Sequence, residues 1–173
     1  MLFGDWTPGG KLPISIPRSA GHLPSFYNHK PSARRGYLFD TVTPLYAFGF
    51  GLSYTTFRID GVRLERSSIA RHESTRVTAT VTNTGHRRGS EVVQMYVRDR
   101  VSSVTRPVKE LKGFEKVVLD AGTSVTVSIG ITPESLAFYD IDMQRVVEPG
   151  EFEIMIGASS RIEDLTTVIL GVA

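Results

Sequence analysis

The stretch Thr75–Phe114 reads TRVTATVTNTGHRRGSEVVQMYVRDRVSSVTRPVKELKGF and carries the pattern on which the fold prediction depends. In its first eight residues apolar side chains alternate with polar ones, and the same two-residue period returns in Glu91–Asp99. Such alternation is typical of half-buried β-strands. The polar segment between them, Asn83–Gly89, contains two glycines, which can adopt the positive φ angles of a tight reversal. The pattern therefore predicts two antiparallel strands joined directly by this reversal.

Similar strand patterns extend outward from this stretch on both sides. Before it, residues 57–64 alternate around Gly61, which predicts a strand with a bulge at the glycine. After it, the predicted strands cover residues 110–119, 123–131, 144–147, 151–157 and 165–172. A single helical turn is expected at Thr132–Ser135, where a capping residue precedes a proline. Seven to eight short strands without a long helical period predict an all-β protein, an antiparallel β-sandwich.

Composition excludes several classes of function. The chain has 173 residues, enough for one domain with additional material, and no cysteine, so thiolate catalysis and cysteine metal sites are excluded. The formal net charge of +2 reflects 20 basic and 18 acidic residues without a basic tract, so we expect no nucleic-acid partner. No apolar run is long enough for a membrane span, and the first residues lack the pattern of a signal peptide. The sequence does not indicate the cellular compartment of the protein.

The composition changes near residue 57. Residues 1–57 contain 11 of the 16 aromatic residues and six of the nine prolines, but only two acids, Asp5 and Asp40. The remainder has nearly balanced charges, as is typical of a soluble sandwich. We therefore divide the chain into residues 1–56, called the arm, and residues 57–173, called the sandwich.

The arm has little predicted secondary structure. Lys11–Pro17 alternates like a strand, but its prolines confine it to a sheet edge, and no partner sheet is predicted elsewhere in the arm. A loop of this length is unusual inside a compact domain, and its aromatic content is typical of a surface that contacts another domain. We therefore expect the arm to belong to the surface of a part not present in this sequence. The alternative is that it folds back over its own sandwich.

No catalytic or metal-binding arrangement is predicted from the residues alone. Asp140 and Asp142 lie close in sequence, but they are expected to be solvated turn residues rather than a catalytic pair. The four histidines have neither the i, i+4 spacing nor the short-loop spacing of metal ligands: His22, His29, His72 and His86. We predict no metal and no cofactor.

Several segments resemble the carboxy-terminal part of family-three glycoside hydrolases, the β-glucosidase and β-xylosidase group. They follow one another in order along almost the whole chain: Gly10–Ser19, Tyr27–Pro31, Phe48–Phe57, Val81–Gly85, Glu91–Val97, Arg106–Phe114 and Glu148–Gly150. The resemblance implies that the arm is the incomplete end of an α/β sandwich domain. It also implies that residues 57–173 form a fibronectin type III-like, immunoglobulin-like domain.

The resemblance further implies that both catalytic carboxylates lie in upstream domains, which would be the main partner of this chain. The expected function is then a non-catalytic structural or accessory portion of a β-glucosidase-type enzyme, inactive alone. The competing hypothesis is a free-standing immunoglobulin-like module that binds carbohydrate or a cell surface. The candidate substrate-adjacent or interdomain residues combine aromatic, amide and cationic groups suited to a β-linked oligosaccharide: Tyr27, Asn28, His29, Lys30, Arg34 and Arg35.

Overall fold

The computed structural model describes residues 3–33 and 41–173. Within them the chain forms ten strands: β1 Phe57–Leu64, β2 Ser68–Ile69, β3 Thr75–Asn83, β4 Gly89–Asp99, β5 Glu110–Leu119, β6 Ser124–Ile131, β7 Phe138–Tyr139, β8 Arg145–Val146, β9 Gly150–Gly157 and β10 Leu165–Val172. One short helix, α1, covers Pro133–Leu136, and single 3-10 turns cover Ala20–His22 and Ile162–Asp164. Seven of the strands have eight or more residues, so the predicted all-β class is confirmed.

The long strands form two sheets that face each other. One sheet has the order β1-β3-β6, and the other has the order β2-β10-β9-β4-β5. All pairs of long strands are antiparallel, as a sandwich of this class requires. The core between the sheets is built from the inward-facing apolar side chains of the strands. Within residues 3–33 and 41–173, every member of this core comes from the sandwich rather than from the arm.

The predicted pairing of β3 with β4 is wrong. β3 lies between β1 and β6 in one sheet, whereas β4 lies between β5 and β9 in the other. Both hydrogen-bonding edges of each strand are therefore occupied by other partners, and residues 83–89 form an arch that crosses from one sheet to the other. Local alternation predicted each strand correctly but contained no information about its partner.

Asn83 holds this arch in place. Its side chain is fully buried, and Nδ2 donates to the carbonyl oxygens of Arg87 at 2.7 Å and Leu119 at 3.0 Å. Its Oδ1 accepts from Thr55 Oγ1 at 2.7 Å and from the Gly85 N–H at 3.1 Å. The amide thus makes four hydrogen bonds, which is its full capacity for a satisfied buried side chain.

The two arch glycines are required for space rather than for a positive φ. Neither Gly85 nor Gly89 lies in the left-handed region. A Cβ at Gly85 would lie 2.2 Å from Thr55 Oγ1, and a Cβ at Gly89 would lie 2.6 Å from Thr55 Cγ2. The end of the arm therefore packs directly against the backbone of the arch.

Other local predictions are confirmed. The register of β1 against β3 shifts between Asp60 and Arg63, and Gly61 has a φ of +61°, as expected for a bulge at the glycine. Thr132 is the N-cap of α1, and its backbone N–H lies 3.3 Å from Ser135 Oγ in a capping box.

The described part of the arm lies on the outer face of the five-stranded sheet. It therefore folds back over its own sandwich, as the alternative prediction stated. Lys11–Pro17, for which no partner sheet was predicted, is paired within the arm. Leu12 donates to the Phe50 carbonyl oxygen and accepts from the Gly49 N–H, both at 2.8 Å, and Ile16 bridges to Tyr46. These segments therefore pack on the sandwich, while Phe3 and Trp6 remain 92% and 75% exposed. The expectation that the arm also belongs to the surface of a part not present in this sequence stays a prediction.

Candidate functional site in the groove between arm and sandwich

Tyr27 joins the arm to the sheet. Its ring stacks on Phe48 with centroids 4.2 Å apart and meets the edge of Tyr96 at 5.7 Å. Its hydroxyl oxygen accepts a hydrogen bond from the Leu111 N–H at 3.1 Å. Tyr96 points away from the core, on the outer face of β4, yet it is fully buried because these arm aromatics cover it. Tyr27 is therefore a packing residue as well as a wall of the neighbouring groove.

The residues that follow Tyr27 divide between contact and exposure. The His29 carbonyl oxygen accepts from the Val108 N–H at 2.9 Å, which fastens this loop to the segment before β5. The His29 ring is half-buried, with Nδ1 3.0 Å from the Lys30 carbonyl oxygen, and it borders the groove. Asn28 and Lys30 are exposed and do not line it. Arg34 and Arg35 lie outside the described residues.

The groove has a volume of about 540 Å³ and separates the arm from two loops of the sandwich. Its aromatic wall comes from the arm, where Tyr46 stacks on Phe50 with centroids 5.3 Å apart and planes inclined by 22°. In the part of the chain that the structure describes, its charged side combines one arm residue with residues before β5 and after β9: Arg18, Lys109, Arg161 and Glu163.

These charged groups are not equally neutralised. Arg161 Nε lies 3.5 Å from Glu163 Oε2, and Arg18 donates from Nε to the Thr43 carbonyl oxygen at 3.0 Å. Lys109 Nζ donates to the Ser160 carbonyl oxygen at 2.5 Å. Burial lowers the pKa of Lys109, while the negative charge of Glu163 acts in the opposite direction. Among the described residues no carboxylate reaches ion-pair distance of Lys109, so its charge is only partly compensated.

A buried charge cluster shapes the loop that positions Lys109. Arg106 Nη2 lies 2.6 Å from Glu110 Oε2, Arg106 Nη1 lies 3.7 Å from Asp99 Oδ2, and the guanidinium stands 4.6 Å above the Phe138 ring. Burial raises the pKa of Asp99 against the attraction of Arg106. Burial would also raise the pKa of Glu110, but the hydrogen bond from Arg106 and the positive charges of Lys112 and Arg106 lower it overall.

The groove offers one carboxylate, that of Glu163, among the described residues that line it. Asp140, considered above for catalysis, is a turn residue whose Oδ1 accepts from the N–H groups of Asp142 and Gln144 at 3.0 and 2.8 Å. In the two described ranges, no group of three or more potential ligands could hold a metal ion. No helix within those ranges is long and apolar enough to cross a membrane.

Sequence reasoning missed most of the groove. It selected Tyr27 and His29, but Lys109 and Arg161 come from loops that are distant in sequence and meet only in the fold. The aromatic excess of the arm was the one available signal, and it pointed to Tyr46 and Phe50 without indicating which surface they would form.

Two family models match the chain in order. The model described as the glycosyl hydrolase family 3 C-terminal domain matches residues 1–54, and the fibronectin type III-like domain model matches residues 91–160.

Curated relatives cover nearly the whole chain. A β-xylosidase of Formosa agariphila is 48% identical over 99% of this chain and 24% of its own length. A periplasmic β-glucosidase of Salmonella typhimurium is 45% identical over 92% of this chain and 22% of its own length. The chain thus spans about a quarter of the length of these relatives.

Solved β-glucosidase structures are also similar to nearly the whole chain, which again covers about a quarter of each of them. A β-glucosidase from Erythrobacter marinus superposes with a TM-score of 0.95 at 44% identity, covering 99% of this chain and 23% of that one. The β-glucosidase from Listeria innocua in complex with glucose has a TM-score of 0.90 at 36% identity, covering 96% and 24%.

Proposed function

We propose that this chain, which belongs to glycosyl hydrolase family 3 as its carboxy-terminal region, is the non-catalytic accessory portion of a β-glucosidase- or β-xylosidase-type enzyme. The observation that carries the proposal is the seating of the arm. The segment matched by the family 3 C-terminal domain model is fixed onto the fibronectin-like sandwich by buried contacts such as Tyr27 on Tyr96. In this role the sandwich braces the segment that leads to the catalytic part.

The exposed apolar side chains of the arm support this role. Phe3, Trp6 and Leu52 are 92%, 75% and 71% exposed, whereas most large apolar residues of the sandwich strands are buried. Exposed apolar patches of this kind mark surfaces that contact another domain. We infer that these residues face the upstream catalytic domains.

The carboxylates support a non-catalytic role. Glycoside hydrolysis by the common mechanisms needs two carboxyl groups, separated by roughly 5–9.5 Å across a cleft. The groove has the single carboxylate of Glu163 among its described lining residues, and this group is paired with Arg161. A single carboxylate cannot supply both members of such a pair.

The proposal is tested by activity with and without catalytic domains. The purified 173-residue chain is expected to release no nitrophenol from aryl β-glucoside or β-xyloside above the buffer rate. Grafted in place of the corresponding quarter of the 48% identical β-xylosidase relative, it should restore soluble, active enzyme, whereas that relative without its last quarter should be inactive. Turnover by the chain alone, or a graft no better than the truncated relative, would contradict the proposal.

A further inference from the structure

We propose that the groove between arm and sandwich binds a sugar that carries a carboxylate, with Lys109 and Arg18 receiving the acid and Tyr46 receiving a face of the ring. The choice of a sugar among carboxylates rests on the proposed function, whereas the affinity for a carboxylate rests on the groove alone.

The described part of the groove carries more positive than negative charge. Among the described lining residues, three cationic side chains stand against the one carboxylate of Glu163, and that carboxylate is nearest to Arg161. Lys109 is half-buried, and its ammonium donates to the neutral carbonyl oxygen of Ser160. A desolvated cation without a carboxylate partner is unfavourable, so an anionic ligand that reaches it gains a charge-assisted hydrogen bond.

The groove also has an aromatic wall. Tyr46 is stacked on Phe50, which holds its ring in place, and it remains 43% exposed. A rigid aromatic ring beside polar groups suits a ligand with an apolar face and a polar rim, which describes a pyranose ring. A phosphate or another small inorganic anion would make no use of this wall.

The size and polarity of the groove suit a monosaccharide. The groove volume of about 540 Å³ lies within the range of small-molecule sites, which runs from about 300 to 1,000 Å³. Three hydroxyl side chains border the groove and can bind sugar hydroxyls: Ser15, Thr43 and Ser160. The ligand class that combines a carboxylate, hydroxyl groups and an apolar ring face is a uronic acid, free or at the end of an oligosaccharide.

The experiment measures binding of D-glucuronate, D-glucose and acetate to the purified 173-residue chain by NMR titration and calorimetry. Glucuronate should bind at least about tenfold more tightly than glucose, which lacks the carboxylate, and than acetate, which lacks the ring. Lys109→Gln should weaken glucuronate binding by about tenfold or more, and Lys109→Arg should retain most of it. Lys116→Gln, an exposed change on β5 outside the groove, is the matched control and should leave binding unchanged.

Four outcomes would overturn the inference. Equal affinity for glucose and glucuronate would remove the role of the carboxylate, and equal affinity for acetate would remove the role of the sugar. Unchanged binding in Lys109→Gln, or no loss in Tyr46→Ala, would place the ligand elsewhere. Since Lys109→Arg preserves the charge, a general folding defect at this position would appear in its melting curve. These measurements need no catalytic domain, so their failure is distinguishable from failure of the accessory role.

Discussion

Gln94, on the outer face of β4, donates a hydrogen bond from Nε2 to the carbonyl oxygen of Gly49 in the arm at 3.1 Å. The same Nε2 donates to the Ala158 carbonyl oxygen at 2.7 Å, and Gln94 Oε1 accepts from the Tyr96 hydroxyl at 2.5 Å. Gln94 is 3% exposed, so these bonds form a satisfied buried network between arm and sheet.

Gly49→Ala tests this contact. Gly49 has a φ of +78°, and a Cβ there would lie 2.0 Å from Gln94 Oε1, so alanine introduces both backbone strain and a clash. We expect the free energy of unfolding to fall by about 2–4 kcal/mol. Gly122→Ala is the matched control, because its φ is +73° and, apart from its two chain neighbours, no described residue has an atom within 4 Å of the added Cβ. It should cost about 1–2 kcal/mol, and equal losses in urea melts would show that the contact contributes nothing.

Removal of residues 1–55 tests the boundary predicted from composition. The core residues that the structure describes all belong to the sandwich, so the shortened chain should still unfold in one cooperative transition. It should nevertheless melt at least about 5 °C lower, because Tyr96 becomes exposed and Glu91 loses its 2.6 Å ion pair with Lys11. Calorimetry and dye binding to the uncovered sheet would measure both effects. A broad transition without a defined midpoint would mean that the arm is part of the folding unit.

Val127→Ala and Thr126→Ala test the parity of β6. Val127 is 5% exposed in the core, whereas Thr126 points to solvent on the other face. The first change should lower the free energy of unfolding by about 1–4 kcal/mol and the second by no more than about 0.5 kcal/mol. Chemical denaturation of both variants gives the comparison, and similar losses would mean that both faces are buried.

Glu110→Gln and Asp99→Asn should change the pH dependence of stability in opposite directions. The folded pKa of Glu110 lies below its ordinary value of 4.5, so its contribution is present above that pH and is lost as the pH falls through the folded pKa. The folded pKa of Asp99 lies above 3.8, so ionisation of Asp99 lowers stability, and this cost disappears as the pH falls towards 3.8.

Between pH 3 and pH 7, Glu110→Gln should therefore lose stability relative to the unmodified protein as the pH rises, and Asp99→Asn should gain. Denaturant melts across this range give both differences. Parallel profiles for the two variants would contradict the assigned directions.

His29→Ala and Lys30→Ala test whether this loop approaches the substrate of the complete enzyme. We expect either change to raise KM and leave kcat nearly constant, which is the signature of lost substrate binding without lost transition-state stabilisation. His86→Ala, on the exposed part of the arch, serves as the control. Unchanged kinetics in all three variants would assign the loop to interdomain contact alone.

Local periodicity was sufficient for individual strands and insufficient for their relations. The buried parity of β3 and β4 followed from alternation at Val77 and Val93, because a half-buried strand imposes a two-residue period. The pairing partners did not follow, since the polar arch that crosses between sheets has the same composition as a hairpin turn.

Gln94 and Tyr96 show the same limit at the site. The alternating pattern of β4 predicts that both side chains face solvent, yet both are buried by arm residues almost fifty positions away in sequence. The groove depends on such long-range contacts, so Lys109 and Arg161 had no sequence signal that joined them. The aromatic content of the arm was visible in the sequence, but the surface it covers was not.

The buried amide of Asn83 also restricts the motion of the arm relative to the sandwich. It holds Thr55, the arch and the end of β5 in one hydrogen-bonded cluster, at the position where the composition of the chain changes. A flexible tether would let the two parts rotate independently, but here a rotation about Thr55 must break bonds in a dry environment. The junction is therefore rigid rather than hinged, and a displacement of the arm at Thr55 is transmitted to both sheets through Asn83.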